Sequence, residues 1–222
     1  QDDAIAILLA LASPDKLDVL GITTVAGNVP LELTSKNARI VCELAGRDDL
    51  FVFAGCKTPI IRPLITAEHV HGKTGLDGPV LPEPKMPLQD RNGVDFIIET
   101  LKAHEANSIT LCCLGPLTNI AVAIQKEPEI LSKLKEIIMM AGAYFEVGNI
   151  TPTAEFNIYV DPEAAQIVIN SPIKKTLLPL DVTHKILVTS DKIQEFKNFG
   201  SIVGTTVSEM LEFSERFDKQ KY

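Results

Sequence analysis

Apolar, β-branched runs alternate with helically spaced segments along this whole chain, and no other feature constrains its fold so strongly. LDVLGITTVAG (17–27) is a continuous apolar run of the kind that forms a strand buried on both faces. LELTSKNARIVCELAG (31–46) has helical spacing and ends at Gly46. LFVFAG (50–55) reads as a strand, 93–106 as a helix, SITLCCLG (108–115) as a strand and PLTNIAVAIQKEP (116–128) as a helix. KEIIMMAG (135–142) is a strand, DPEAAQIVIN (161–170) a helix and KKTLLPLD (174–181) a strand, and the tail from 192 to about 219 is mainly helical. Strands alternating with helices predict right-handed βαβ crossovers: a Rossmann-like α/β fold with a mostly parallel sheet and helices on both faces. With no repeat and no low-complexity linker, residues 1–222 read as a single domain.

The first residues do not suit the beginning of such a fold. Gln1, Asp2 and Asp3 lead straight into AIAILLALAS, a mostly apolar helix whose acidic start suits the positive end of its dipole. A strand is expected ahead of it. Composition narrows the function classes. Hydrophobic residues make up 45% and charged residues 23%, which supports a sizeable core and excludes disorder. A net charge of −8 supplies no drive toward nucleic acid or an anionic membrane. No apolar run reaches the ~18 residues of a membrane span, and no basic region followed by an apolar stretch marks a secretory signal. Cys42, Cys56, Cys112 and Cys113 lack C-x-x-C spacing and read as buried free thiols of a reducing cytoplasm, ahead of disulfides or a zinc site.

In open α/β sheets the ligand lies outside the carboxyl ends of the strands. That rule selects Gly27 and Asn28, Leu114 and Gly115, Met140 to Gly142, and Thr183 and His184; the long loop 56–92 has room to form a lid. Adjacent residues on a helix point about 100° apart, so one of Asp2 and Asp3 can ligate a hard cation while the other meets a substrate hydroxyl. The plain alternative is a helix cap with a dipole partner. Asn149, Glu155 and Asn157 lie in one loop after a strand and are able to converge on sugar hydroxyls, though Asn in Gly-rich turns is also ordinary turn chemistry. His69 and His71 have no third ligand at recognisable zinc spacing, so a mobile loop imidazole competes with a merely solvated one. His184 in DVTHK reads as structural, and DPEAA as a capped helix start. The chain lacks G-x-x-x-x-G-K-[ST], G-x-G-x-x-G and G-x-S-x-G, which sets aside triphosphate, dinucleotide and α/β-hydrolase readings.

DDAIAILLALAS, ITTVAGN, HVHGKTGLDGP, LGPLTNIA, GNITPTAEFNIYVDPEAA and LDVTH occur in the order and approximate spacing of the inosine-uridine preferring nucleoside hydrolases, so the chain resembles that family over its whole length. It looks most similar to the bacterial ribonucleoside hydrolases, and LDGP resembles their pyrimidine-preferring members. The resemblance implies hydrolysis of a ribonucleoside to ribose and free base, with Ca²⁺ as cofactor, a small-molecule ribonucleoside as partner, and a homodimeric or homotetrameric assembly. It implies that Asp3 and the Leu114 backbone carbonyl ligate the metal. Asp2 and Asn28 hold the ribose, Met140, Asn149, Glu155, Phe156 and Asn157 line the substrate pocket, and His71 sits on the loop closing over the base.

Two departures accompany it. The family's general base, an earlier aspartate of the D-x-D-x-G-x-D-D motif, falls before Gln1, and its C-terminal His-Asp pair has no match by residue 222. The expectation is therefore a hydrolase domain incomplete at both ends. The alternative is a truncated member that binds ribosides, or acts only in assembly, without turnover.

Overall fold

The computed structural model describes residues 1–221, with side chains through Arg216. In chain order the elements are α1 (Asp2–Leu11), β1 (Ile22–Thr24), α2 (Leu31–Leu44), β2 (Val52–Ala54), α3 (Glu68–His71), β3 (Leu88–Gln89), α4 (Gly93–Ala103), β4 (Ile109–Cys113) and α5 (Thr118–Lys126). A 3₁₀ turn at Pro128–Ser132 leads to β5 (Leu134–Met140), then α6 (Phe156–Val160), α7 (Pro162–Asn170), β6 (Lys175–Leu178), α8 (Leu180–Thr183), α9 (Ser190–Asn198) and α10 (Ile202–Lys221).

All described strand pairs are parallel, as the alternation predicts. The ladders form two three-stranded sheets, ordered β1-β2-β3 and β4-β5-β6. In the first, Val52 joins a core with Ala38 and Cys42 of α2, while Phe53 stacks on Phe96 of α4 with ring centroids 4.0 Å apart. Successive strand residues point to opposite faces, so α2 and α4 cover opposite sides of this sheet. In the second, Ile137 and Met139 of β5 face the largest core cluster, with Leu117, Ala121 and Ile124 of the α5 segment and Ala164 and Val168 of α7. Each fully buried Leu there contributes roughly 2 kcal/mol through loss of water contact. The opposite face, which carries Cys112, Thr176 and Leu178, leaves all three exposed.

Helix starts follow local chemistry. Asn92 caps α4 by accepting from the Val94 N–H, Asp161 caps α7 ahead of Pro162, and Thr189 caps α9. The ladders are shorter than the apolar runs that predict them. Residues 17–27 yield only Ile22–Thr24 as strand, and Leu17 and Leu20 ahead of it are exposed, so the run is not the strand buried on both faces that its apolar content predicts: apolar composition alone fixes neither pairing nor cover. The run 174–181 divides at Pro179, which lacks an N–H for the ladder and stands just ahead of α8. The loop 56–92 contains one helical turn, α3, and one short strand, β3.

Candidate active site at the carboxyl ends of the strands

The two sheets meet at their carboxyl ends. Asn119, in the first turn of α5, donates Nδ2–H to the Thr24 carbonyl at 3.0 Å and accepts the Cys56 N–H on Oδ1 at 2.7 Å. One buried amide therefore ties the ends of β1 and β2 to the turn after β4. Thr118 beside it donates to Asp161 Oδ2 at 2.7 Å, and the same oxygen accepts the Ile60 N–H at 3.0 Å. Asp161 has no exposed surface and also caps α7 through Ala164, so its carboxylate joins three segments. Gly27 packs so close to this turn that a Cβ there would stand 3.0 Å from Pro116 Cδ.

The predicted site residues form two groups. In one, Asp2 is exposed and Asp3 half-buried at the start of α1. Asn28 accepts the Ala67 N–H on its backbone carbonyl at 2.9 Å, which tethers the segment carrying His71. Asp2 and His71 lie near enough for their charges to act on each other. Desolvation opposes ionisation of the Asp2 carboxyl, whereas the His71 charge and nearby backbone N–H groups favour it. Burial, and then the Asp2 charge, push Asp3 up to about 7. Burial pushes His71 down to about 4, and its buried Nδ1 has no hydrogen-bond partner among the described residues.

In the second group, Asn157 donates Nδ2–H to both the Leu114 and Met140 carbonyls at 3.0 Å, joining the ends of β4 and β5. Glu155 is 2% exposed. Its Oε1 accepts from the Asn157 N–H at 2.8 Å, and its Oε2 accepts from the Gly142 N–H at 3.0 Å and the Ile158 N–H at 3.2 Å. Asn149 Oδ1 accepts the Phe156 N–H at 2.8 Å. Gly142 has φ +79°, a left-handed conformation that bends the chain sharply out of β5. Phe156 links the two groups, packing with Ala67 and Val160 in a small core that Leu64, Val70 and Ile150 complete.

Much of this polar framework lies in motifs that look ordinary in sequence. Thr118, Asn119 and Asp161 sit in PLTN and DPEAA; only their pairing across the fold reveals their work. His184 is exposed and pairs through Nδ1 with Glu146 Oε2 at 3.3 Å. All four cysteines are free, but only Cys42 is buried as expected: Cys56 and Cys113 are partly covered, and Cys112 is exposed because it lies on the open face of the second sheet.

Among the described residues no group of three or more His, Cys, Asp or Glu side chains could hold a metal ion. The donors that fit a hard cation by type are the Asp2 and Asp3 carboxylates and the Leu114 carbonyl. The charge fits as well, since Asp3 is a desolvated carboxyl beside a second carboxylate, a repulsion that a cation relieves.

A chain with this fold and site belongs to the inosine-uridine preferring nucleoside hydrolase family, whose profile matches residues 1–222. It is 45% identical over 220 residues to the pyrimidine-specific ribonucleoside hydrolase RihA of Escherichia fergusonii, a match covering 99% of this chain and 70% of that protein. It is 50% identical over 222 residues to an uncharacterised protein of Schizosaccharomyces pombe, covering 100% of this chain and 71% of the relative. The purine-preferring ribonucleoside hydrolase from Gardnerella vaginalis superposes with a TM-score of 0.94 at 30% identity, over 99% of this chain and 70% of that one. No helix among the described residues is long and apolar enough to cross a membrane.

Proposed function

We propose that the protein hydrolyses the N-glycosidic bond of ribonucleosides, with water attacking C1′ to release ribose and a free base. One observation carries this reading: Asn157 draws the carbonyls ending β4 and β5 together, beside a segment anchored by Asn149 and Glu155. Loss of the base leaves an oxocarbenium-like sugar, so hydroxyl contacts that tighten as charge develops lower the barrier. Asp2 and Asn28 hold the ribose hydroxyls, and the Met140–Asn157 loop lines the opposite side of the sugar. Asp3 and the Leu114 carbonyl would hold Ca²⁺, which would supply Lewis-acid charge to the sugar hydroxyls and lower the pKa of a bound water. By resemblance, the base that takes the water proton is an aspartate upstream of Gln1.

Residues 1–222 act as one domain in this reading, supported by the Asn119 and Asp161 bonds that tie the sheets and loops together. A reducing cytoplasm is supported by the four free cysteines. A homodimer or homotetramer is carried over by resemblance. Exposed Leu178, Val182, Ile186, Leu187 and Val188 support burial of that stretch against another surface.

The test is ribose release by the complete gene product from uridine, cytidine, inosine and adenosine, with Ca²⁺ and with a chelator. Release that depends on the cation is expected, first from uridine and cytidine because LDGP resembles pyrimidine-preferring members. Nucleoside binding without ribose release would favour a riboside-binding protein in place of an enzyme.

A further inference from the structure

The loop after β5 carries a surface feature that the sugar site does not explain. Tyr144 and Phe145 are 80% and 89% exposed, and their rings meet edge to face with centroids 4.6 Å apart. A single exposed apolar side chain is ordinary on any protein. Two adjacent aromatic rings on a turn held in one geometry form a preorganised contact surface. Asp181, in the first turn of α8, imposes that geometry. Its Oδ2 accepts the Tyr144 N–H at 2.8 Å, while Oδ1 accepts the Phe145 and Glu146 N–H groups at 2.8 and 3.2 Å. The Tyr144 N–H foremost, with its two neighbours, holds the Asp181 carboxyl below its ordinary value. His184 reaches the same loop through Glu146. Asp181 and His184, both in LDVTH, thus act on this turn from α8 and its C-cap, just after β6.

Both ends of the turn are tied to the sugar site. Gly142 donates its N–H to Glu155 at one end, and Asn149 accepts from Phe156 at the other. The aromatic tip and the residues Met140, Asn149 and Asn157 thus belong to one loop, anchored at both ends by the Glu155–Asn157 segment. We infer that the Tyr144–Phe145 tip is the outer wall of the nucleoside site and stacks on the base while the ribose sits within. This rests on the ribonucleoside reading above. Purines and pyrimidines both present a π-face to such rings, and stacking of this kind tolerates either base. The tip then contributes to holding the nucleoside and is silent toward free ribose.

The experiment compares the complete gene product with Tyr144→Ala, Phe145→Ala and Tyr144→Phe. It measures KM and kcat for uridine and inosine, dissociation constants for both by equilibrium dialysis, and inhibition by free ribose. Each alanine variant is expected to raise KM and the nucleoside dissociation constant about tenfold, the scale of one lost stacking contact. The ribose inhibition constant stays unchanged, and Tyr144→Phe, which keeps the ring, behaves as the parent. Nucleoside affinity unaltered in both alanine variants would overturn the inference and leave the rings to contact protein. An equal weakening of ribose would also overturn it, since the turn would then act by shaping the sugar site. A parent protein that neither binds nucleosides nor releases ribose would instead sink the ribonucleoside reading itself.

Discussion

Asn119 donates its side-chain N–H to the Thr24 carbonyl at 3.0 Å, across the seam between the two parallel sheets. Its other end accepts from Cys56, so Asn119→Ala strands a buried carbonyl and an N–H that water reaches poorly. Each buried polar group left without a partner costs about 1–3 kcal/mol. The variant should lose about 2–4 kcal/mol, read from urea unfolding. An unchanged midpoint would mean that the sheets hold together without this bridge.

Asp3→Ala separates metal binding from folding. The folded protein pushes this carboxyl from its ordinary 3.8 up to about 7, by burial first and the Asp2 charge second. A raised acid opposes folding: the penalty grows as pH climbs from 3.8 to about 7 and is constant above. Without metal at pH 8, the variant should melt no lower than the parent and is expected to melt higher. Ca²⁺ should raise the melting temperature of the parent and leave the variant where it is, with turnover lost. Calorimetry showing parental Ca²⁺ affinity in the variant would remove Asp3 from the metal site.

Glu155→Gln exchanges one acceptor oxygen for an NH₂ group. Both oxygens of Glu155 accept backbone N–H groups, so one of them must then face a donor with a donor. A loss of about 1–3 kcal/mol is expected, with higher KM and slower turnover as Gly142 slackens, and with Ca²⁺ binding retained. Parental kinetics together with parental stability would dismiss Glu155 from the site.

The four thiols should divide by exposure. Cys112 is exposed on β4, whereas burial pushes Cys42 up to about 11 and Cys113 up to about 12. Native protein at pH 8 is expected to modify promptly at Cys112 with an aromatic disulfide reagent, and at Cys42, Cys56 and Cys113 only in denaturant. Peptide mass mapping before and after unfolding checks this. Prompt labelling of Cys42 would contradict its burial between α2 and the first sheet.

Much of the architecture was legible in the residues. Apolar runs at LFVFAG and KEIIMMAG and the helical spacing of LELTSKNARIVCEL each mark one element, because burial of a strand or a helix face is written into side-chain period. The strand-end rule also selected Asn28, Leu114 and Met140 before any coordinates. Pairing was not legible in the same way. The run 17–27 supplies only three strand residues, and 108–115 gives no sign that its second face carries an exposed Cys112. Hydrophobicity records that a segment is covered somewhere, but not by which partner or on which face.

By itself, then, the sequence determined the parallel α/β class, the order of its elements and the residue types gathered at their carboxyl ends, since these follow from local period and local chemistry. Tertiary structure alone decided that Asn119 and Asp161 hold the sheets and loops together, that Glu155 spends its carboxylate on three backbone N–H groups, and that Asp181 fixes an aromatic turn from a strand away. Apart from the local cap bonds of Glu155 to Asn157 and Ile158, those bonds join residues 13 to 101 positions apart, and which donor meets which acceptor is set only when the packed elements bring them within about 3 Å.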